Sequence, residues 1–156
     1  MTALPLEPHR PTERTSRRMA EVRRRDTAPE LALRRTLHRQ GLRYFVDRAP
    51  LPDQPRRRAD LVFPGARLAV FVDGCFWHKC PDHARLPRVN SEWWLSKLQA
   101  NVARDRDTDA RLAAAGWSVL RVWEHEPAGS AALRVCQALG RSPAAPSGST
   151  SREPVG

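Results

Sequence analysis

The chain has 156 residues, a formal net charge of +10 and 40% hydrophobic residues, which suits one domain with a single sizeable core. No run of about 18 apolar residues could span a membrane, and no signal-peptide core precedes the basic start. Its three cysteines (Cys75, Cys80 and Cys136) do not form the even framework of small secreted domains. We therefore expect a protein of a reducing cytoplasm.

Arginine dominates the positive charge, since all of the 27 basic residues except Lys79 and Lys97 are arginine. The planar guanidinium pairs well with phosphate oxygens, so the composition favours nucleic acid over a lipid surface as partner. An arginine-rich proteome that enriches every surface in arginine is the alternative explanation.

The chain order begins with residues 1–15, which carry three prolines and no periodic apolar pattern, and we expect them to be disordered. The same holds for the Pro-, Ser- and Gly-rich residues 141–156. Residues 16–140 are predicted to form one domain, and its first part, residues 16–25, is a basic arm suited to a phosphate backbone.

The predicted elements then alternate between helices and strands. Asp26-Thr-Ala-Pro-Glu30 opens a helix that continues to Gly41, because Asp or Thr can cap a helix and proline is tolerated in its first turn. The remaining predictions are a strand over 42–46, a hairpin of strands 59–63 and 68–72 about Pro64-Gly65, a helix over 91–115, a strand over 117–123 and a helix over 129–139. This order predicts an α/β sandwich with a mixed sheet and helices on both faces.

An acidic cluster is predicted where the hairpin strands pair. Pairing about Pro64-Gly65 places Asp60 opposite the neighbourhood of Phe71, and alternation puts Phe71 and Asp73 on one face, so the two aspartates are diagonal neighbours about 7–8 Å apart. Two such carboxylates repel unless a cation lies between them, and hard oxygen ligands suit magnesium. The alternative is that both residues simply end strands, where aspartate is common.

The long predicted helix adds a third acidic candidate. Asp105 falls on the same helical arc as the apolar residues Trp94, Leu98, Val102 and Leu112, and a carboxylate on a buried stripe needs a partner. An ordinary salt bridge to an arginine would also explain it, and Asp109 lies on the same arc.

The segment from Asp73 to His83 carries the densest group of reactive side chains. Cys75, Cys80 and His83 lie close together in the sequence, as zinc ligands commonly do. His125, just after a predicted strand, is the candidate for a fourth ligand. Two free thiols and unrelated histidines are the alternative. Between the cysteines, Phe76 and Trp77 suit insertion between base pairs, although such aromatics are more often core, and His78 suits a general base beside the acidic cluster. 

These residues together resemble the very short patch repair (Vsr) DNA mismatch endonucleases, a branch of the restriction-endonuclease-like fold. The resemblance runs from about Arg17 to Glu124 and rests on several ordered motifs. They are Arg25-Asp-Thr-Ala-Pro-Glu30, Ala59-Asp60, Phe71-Val-Asp-Gly-Cys-Phe-Trp-His78, Cys80-Pro-Asp-His83, Glu92-Trp-Trp-Leu95, Asn101-Val-Ala-Arg-Asp-Arg106 and Gly116-Trp-Ser-Val-Leu-Arg-Val-Trp-Glu124.

The resemblance implies a role for each candidate residue. Asp60 is the central Mg²⁺ ligand together with the Val72 carbonyl, His78 activates water or relays a proton, and Glu30 and Asp105 orient metal-bound waters. The structural Zn²⁺ ligands implied by the resemblance are Cys75, Cys80, His83 and His125. The implied DNA-contacting residues are Phe76, Trp77 and Trp94, with Met19 contacting the DNA from the opposite groove.

Three positions depart from the family pattern. Asp73 stands where the best-studied member has a histidine, and we expect it to join Asp60 on the magnesium. His125 stands where cysteine is usual, which zinc permits. Cys75 occupies the position, two residues after Asp73, where many nucleases of this fold place a lysine.

The expected activity is Mg²⁺-dependent nicking of double-stranded DNA on the 5′ side of the thymine in T:G mispairs, which arise from deamination of 5-methylcytosine. The expected partners are this DNA, a cytosine-5 DNA methyltransferase as functional companion and mismatch-repair proteins, with the chain acting as a monomer at the bacterial nucleoid. Two alternatives stay open. One is a catalytically inactive, zinc-stabilised DNA-binding module, and the other is a nuclease of the same fold for a different lesion or site.

Overall fold

The structure is a computed structural model that describes residues 26–75 and 88–141. The predicted disordered ends and the basic arm lie outside these residues and stay predictions. In chain order the elements are α1 (Ala28–Arg39), β1 (Phe45–Arg48), β2 (Ala59–Phe63), β3 (Leu68–Asp73), α2 (Ser91–Ala114), β4 (Ser118–Trp123) and α3 (Ala128–Ala138). Within the described residues, no helix combines the length and the apolar character needed to cross a membrane.

The four strands form one mixed sheet in the order β1-β2-β3-β4. Strands β1, β2 and β3 are antiparallel neighbours, and Leu61 pairs with Val70 in the predicted hairpin. Strand β4 lies parallel to β3, with Phe71 opposite Arg121. A parallel neighbour needs a crossover connection, which α2 supplies. The mixed sheet and the hairpin are confirmed, and the strand order is new information.

Helices cover both faces of the sheet, as predicted. On one face, α1 packs against α3, and their leucines and alanines share a core cluster with Leu61, Val70 and Val122 of the sheet. On the other face, Leu112 of α2 joins Ala69 and Phe71 in a second cluster. The alternation of side chains along β3 thus feeds two separate apolar layers.

The first strand begins later than the sequence indicated. Leu42 was predicted to open the strand, but it is buried and its N–H donates to the Leu37 carbonyl, 3.1 Å away, so it closes α1 instead. Gly41 supplies the left-handed turn at φ 77° that this helix end requires. Sheet pairing starts only at Phe45, which lies opposite Val62.

The buried stripe of α2 also differs in one position. Trp94, Leu98 and Leu112 are buried as predicted. Between Leu98 and Leu112, however, the buried residue is Thr108, and Val102 is only partly buried. Arg57, in the loop before β2, donates to the Thr108 hydroxyl at 2.6 Å, and this contact satisfies the buried hydroxyl.

We expect Leu37→Ala to lower the free energy of unfolding by about 2–5 kcal/mol, because it removes a fully buried side chain between α1, α3 and the sheet. Urea denaturation followed by circular dichroism measures the change. Leu133→Ala, on the exposed side of α3, is the matched control and should change stability by less than about 0.5 kcal/mol. Equal losses in the two variants would contradict the described core.

Candidate active site and metal-binding residues

Asp60 lies in β2 on the sheet face that carries α2, and the adjacent strand fixes its position. Its Oδ2 accepts a hydrogen bond from the Val72 N–H at 2.7 Å. The pKa of Asp60 is raised to about 7, mainly by burial and also by the neighbouring Glu30 and Asp73 carboxyls, while the hydrogen bond from Val72 acts in the opposite direction. A buried carboxyl that other carboxyls crowd is a strong candidate for cation binding.

Glu30 reaches the same place from the first turn of α1. It is only 4% exposed, and its Oε2 accepts hydrogen bonds from the Asp26 N–H at 2.8 Å and from Arg34 at 3.1 Å. Thr27 caps the helix and Pro29 stands in its first turn, as the sequence predicted. Glu30 therefore helps to anchor the helix start while it presents a carboxylate beside Asp60.

Asp73, at the end of β3, is bound by an arginine of the parallel strand. Arg121 Nη1 lies 2.9 Å from Asp73 Oδ1 and 3.1 Å from Oδ2. The same guanidinium binds Asp109 side-on at 2.8 and 3.1 Å and lies 3.7 Å from Asp105. The salt bridge that the sequence analysis gave as an alternative for Asp105 is therefore present. The structure also brings the strand residues Asp60 and Asp73 and the helix residues Asp105 and Asp109 into one region.

The acidic cluster is suited to a magnesium ion that takes only one or two ligands from the protein. Within residues 26–75 and 88–141, no three histidine, cysteine or acidic side chains are arranged to share one ion. Mg²⁺ is usually held by one or two carboxylates while waters and substrate phosphates complete its coordination. Asp60 and the carbonyl of Val72 meet that requirement chemically, whereas the ligand role predicted for Asp73 stays a prediction because Arg121 already contacts both of its oxygens.

The predicted zinc ligands that the structure describes lie side by side. Cys75 Sγ is 3.1 Å from His125 Nδ1, although the two residues are 50 positions apart in the sequence. Tetrahedral zinc with typical bond lengths places a thiolate sulfur and an imidazole nitrogen about 3.5 Å apart. The pair therefore fits two corners of a zinc site, and the other two predicted ligands, Cys80 and His83, lie outside the described residues.

Glu124 joins the ends of the two parallel strands at this point. Its N–H donates to the Asp73 carbonyl at 2.9 Å, and its Oε1 accepts the Cys75 N–H at 2.9 Å. These two bonds hold Cys75 near His125 and connect the cysteine to the aspartate two residues before it. The candidate zinc pair and the acidic cluster therefore share one edge of the sheet.

Sequence comparison with known proteins identifies the family of this chain. A sequence model described as DNA mismatch endonuclease Vsr matches residues 8–83. The chain is 48% identical over 125 residues to the type II nicking enzyme V.NaeI of Lentzea aerocolonigenes, covering 80% of this chain and 75% of that protein. The chain belongs to the Vsr family. It is 43% identical to the type II nicking enzyme V.XorIIP of Xanthomonas oryzae pv. oryzae, with 73% of this chain and 82% of that protein covered. It is 41% identical to the DNA mismatch endonuclease Vsr of Escherichia coli K12, with 70% and 68% covered.

Membership of the Vsr family makes this chain a DNA endonuclease, which agrees with the arginine-rich composition. Several residues with predicted roles in Vsr chemistry or DNA contact lie outside the described part of the chain, namely Met19, Phe76, Trp77 and His78. Trp94 is described, and it is 5% exposed and packed edge-on against Trp93 at 4.7 Å. Its predicted insertion into DNA stays a prediction and requires that the ring become uncovered.

Sequence reasoning missed two residues of this Vsr-family site, Arg121 and Glu124. A signal for Arg121 was available, because a charged residue in the middle of an apolar strand faces the same side as Val119 and Trp123 and needs a buried counter-charge. Glu124 lay within a motif of the Vsr resemblance but received no role, since only the parallel pairing of β3 and β4 brings it to Cys75.

Proposed function

We propose that this Vsr-family chain nicks double-stranded DNA on the 5′ side of the thymine in T:G mispairs left by deamination of 5-methylcytosine. The reaction is Mg²⁺-dependent phosphodiester hydrolysis on a restriction-endonuclease-like fold. The observation that carries the proposal is the buried Asp60 beside Glu30 and Asp73, in a chain whose relatives are named mismatch endonuclease and nicking enzymes.

In this proposal each protein group has a defined task. Magnesium at this site would supply positive charge that stabilises the phosphate during hydrolysis. Asp60 and the Val72 carbonyl would hold the ion, Glu30 and Asp105 would orient water, and His78 would take a proton from the attacking water. Each carboxylate named here is fixed by hydrogen bonds or an ion pair in the described structure, which favours a preorganised site.

A structural zinc would support the same edge of the sheet. Cys75 and His125 would hold it together with Cys80 and His83, and the ion would restrain the segment that carries Phe76, Trp77 and His78. These aromatics and Trp94 insert beside the mispair, while Met19 on the basic arm contacts the opposite groove. The arginine surface binds phosphates without reading sequence.

The chemistry of the lesion also defines the partners and the location. Deaminated 5-methylcytosine exists only where a cytosine-5 methyltransferase acts, so that enzyme is the functional companion. We further propose that the chain acts as a monomer, since one asymmetric lesion needs one active site, that it works at the bacterial nucleoid in the cytoplasm, and that mismatch-repair proteins act with it.

The test is nicking of an end-labelled duplex that carries one T:G mispair in a methylation-site context, with and without Mg²⁺. We expect one strand to be cut 5′ of the thymine only when Mg²⁺ is present, at a rate at least about 100-fold above that on the T:A duplex. The other mispairs and the intact C:G duplex complete the panel. Cutting of both strands, or equal rates on paired and mispaired duplexes, would reject the proposal.

A nickase for a different site is the second candidate, because relatives at 48% and 43% identity are named type II nicking enzymes rather than mismatch endonucleases. The same panel separates the two candidates. Efficient nicking of intact duplex in one sequence context, with no preference for the mispair, would favour this second function.

A further inference from the structure

Arg121 occupies an unusual position for a charged residue, in the middle of β4 where the strand lies parallel to β3. Its side chain is 21% exposed and lies within 4 Å of three carboxylates, those of Asp73, Asp105 and Asp109. Burial lowers the pKa of Arg121, but the Asp109 hydrogen bond and the three negative charges raise it above its usual value. The side chain is thus a permanent cation among acidic groups.

Two further contacts hold this guanidinium in place. Asp109, from α2, binds it side-on through Nε and Nη2, which is the strongest geometry available to an arginine and a carboxylate. The guanidinium carbon also lies 4.3 Å from the centre of the Phe71 ring, a cation–π contact with its direct neighbour in β3. Nη1, the remaining nitrogen, is thereby directed at Asp73.

Asp73 is consequently turned toward Arg121. Both of its oxygens lie within 3.1 Å of the same nitrogen, although it stands on the same sheet face as Asp60 and contributes to the raised pKa of that residue. No three potential ligands share a common point within the described residues, which is the arrangement expected if Asp73 is directed away from the Asp60 site.

We propose that Arg121 is a positioning residue that holds Asp73 as an ion pair beside Asp60 and keeps it from becoming a direct magnesium ligand. The pair lowers the negative charge that an incoming DNA phosphate meets, since Arg121 cancels one carboxylate at the place where the scissile bond must approach. This inference rests on the proposed Mg²⁺-dependent nicking and replaces the ligand role expected for Asp73.

The test measures Mg²⁺ affinity and nicking kinetics in single and double variants of the full chain. Magnesium affinity comes from the Mg²⁺ dependence of the melting temperature, which does not require activity. Asp73→Asn should change this affinity by less than about threefold, because the residue is not a ligand. Arg121→Met should tighten Mg²⁺ binding at least about threefold, because it releases a carboxylate next to Asp60.

The double variant shows whether the released carboxylate is responsible. Arg121→Met combined with Asp73→Asn should return the Mg²⁺ affinity to the wild-type value. Arg121→Met should also lower kcat at least about tenfold with a smaller change in KM, and Arg121→Lys should recover part of kcat because it keeps the charge. Asp107→Asn is the matched control for Asp73→Asn, since Asp107 is a half-exposed aspartate of α2 that pairs with Arg111; it should change neither the Mg²⁺ affinity nor kcat.

Three results would overturn the proposal. They are a loss of Mg²⁺ affinity of about tenfold or more in Asp73→Asn, an unchanged or weaker affinity in Arg121→Met, and unchanged kcat in a folded Arg121→Met. If Arg121→Met does not fold, Arg121→Lys and Asp109→Asn test the same anchor with smaller perturbations. A wild-type chain that binds Mg²⁺ but never nicks would reject the proposed function, while the affinity measurements would still decide the role of Arg121.

Discussion

Asp60→Ala is expected to reduce Mg²⁺-dependent nicking by about 1000-fold, which corresponds to about 4 kcal/mol of transition-state stabilisation. The reason is that Asp60 is the buried carboxyl around which the other acidic groups of the site are arranged. DNA affinity should change by less than about threefold, because arginines at the surface supply most of it. Single-turnover cleavage and fluorescence anisotropy on the same duplex measure the two quantities.

The companion variant Asp60→Asn tests whether the loss of nicking comes from a folding defect. Below the ordinary aspartate pKa of 3.8 both folded and unfolded chains are protonated; between that value and about 7 the folded chain retains the proton that the unfolded chain loses. The raised pKa of Asp60 therefore lowers the free energy of unfolding progressively as the pH rises from 3.8 to about 7, because the unfolded chain releases the proton first. Without Mg²⁺ at pH 8, Asp60→Asn should be at least as stable as the wild type.

Asp53→Ala serves as the matched control, since Asp53 is an exposed aspartate in the loop before β2. It should retain full nicking. If Asp60→Ala cuts within about tenfold of the wild-type rate, the assignment of the site is wrong. If the wild type itself binds the duplex but cuts none of the panel, the inactive zinc-stabilised binding module is the better description.

The second large effect is expected at the zinc pair. His125→Ala and Cys75→Ser should each reduce the zinc content to well below one ion per chain and lower the free energy of unfolding by at least about 3 kcal/mol. The physical reason is that Cys75 and His125 stand on different strand ends, so a bound ion cross-links β3 and β4 beyond their last pair. Elemental analysis and thermal melting measure the two effects.

Two controls separate zinc binding from loss of a buried contact. Cys136→Ala changes another buried cysteine, one that donates to Gln40 on the opposite face of the sheet, and it should retain the zinc. His125→Cys should also retain it, because a thiolate is an equivalent zinc ligand. A wild-type chain purified without zinc, with a melting temperature that a chelator leaves unchanged, would reduce the Cys75–His125 contact to a simple hydrogen bond.

The sequence was sufficient wherever the structural signal is local. The cap at Thr27, the turn at Pro64-Gly65 and the alternation along β2 and β3 each depend on residues within one element or one tight turn. These signals predicted the helices, the hairpin and the shared face of Asp60 and Asp73. The first strand was misplaced because Leu42 is apolar, and sequence alone does not distinguish a helix-closing residue from the first residue of a strand.

The tertiary structure decided what depends on contacts between distant segments. Only the parallel pairing of β3 with β4 brings Arg121 to Asp73, Glu124 to Cys75 and Cys75 to His125. Composition and motifs by themselves determined a basic α/β protein with nuclease-type acidic residues. Strand order decides which carboxylates lie beside a metal site and which pair with an arginine. A buried carboxylate needs a partner, and the partner of Asp73 is Arg121, which lies 48 residues away in the sequence.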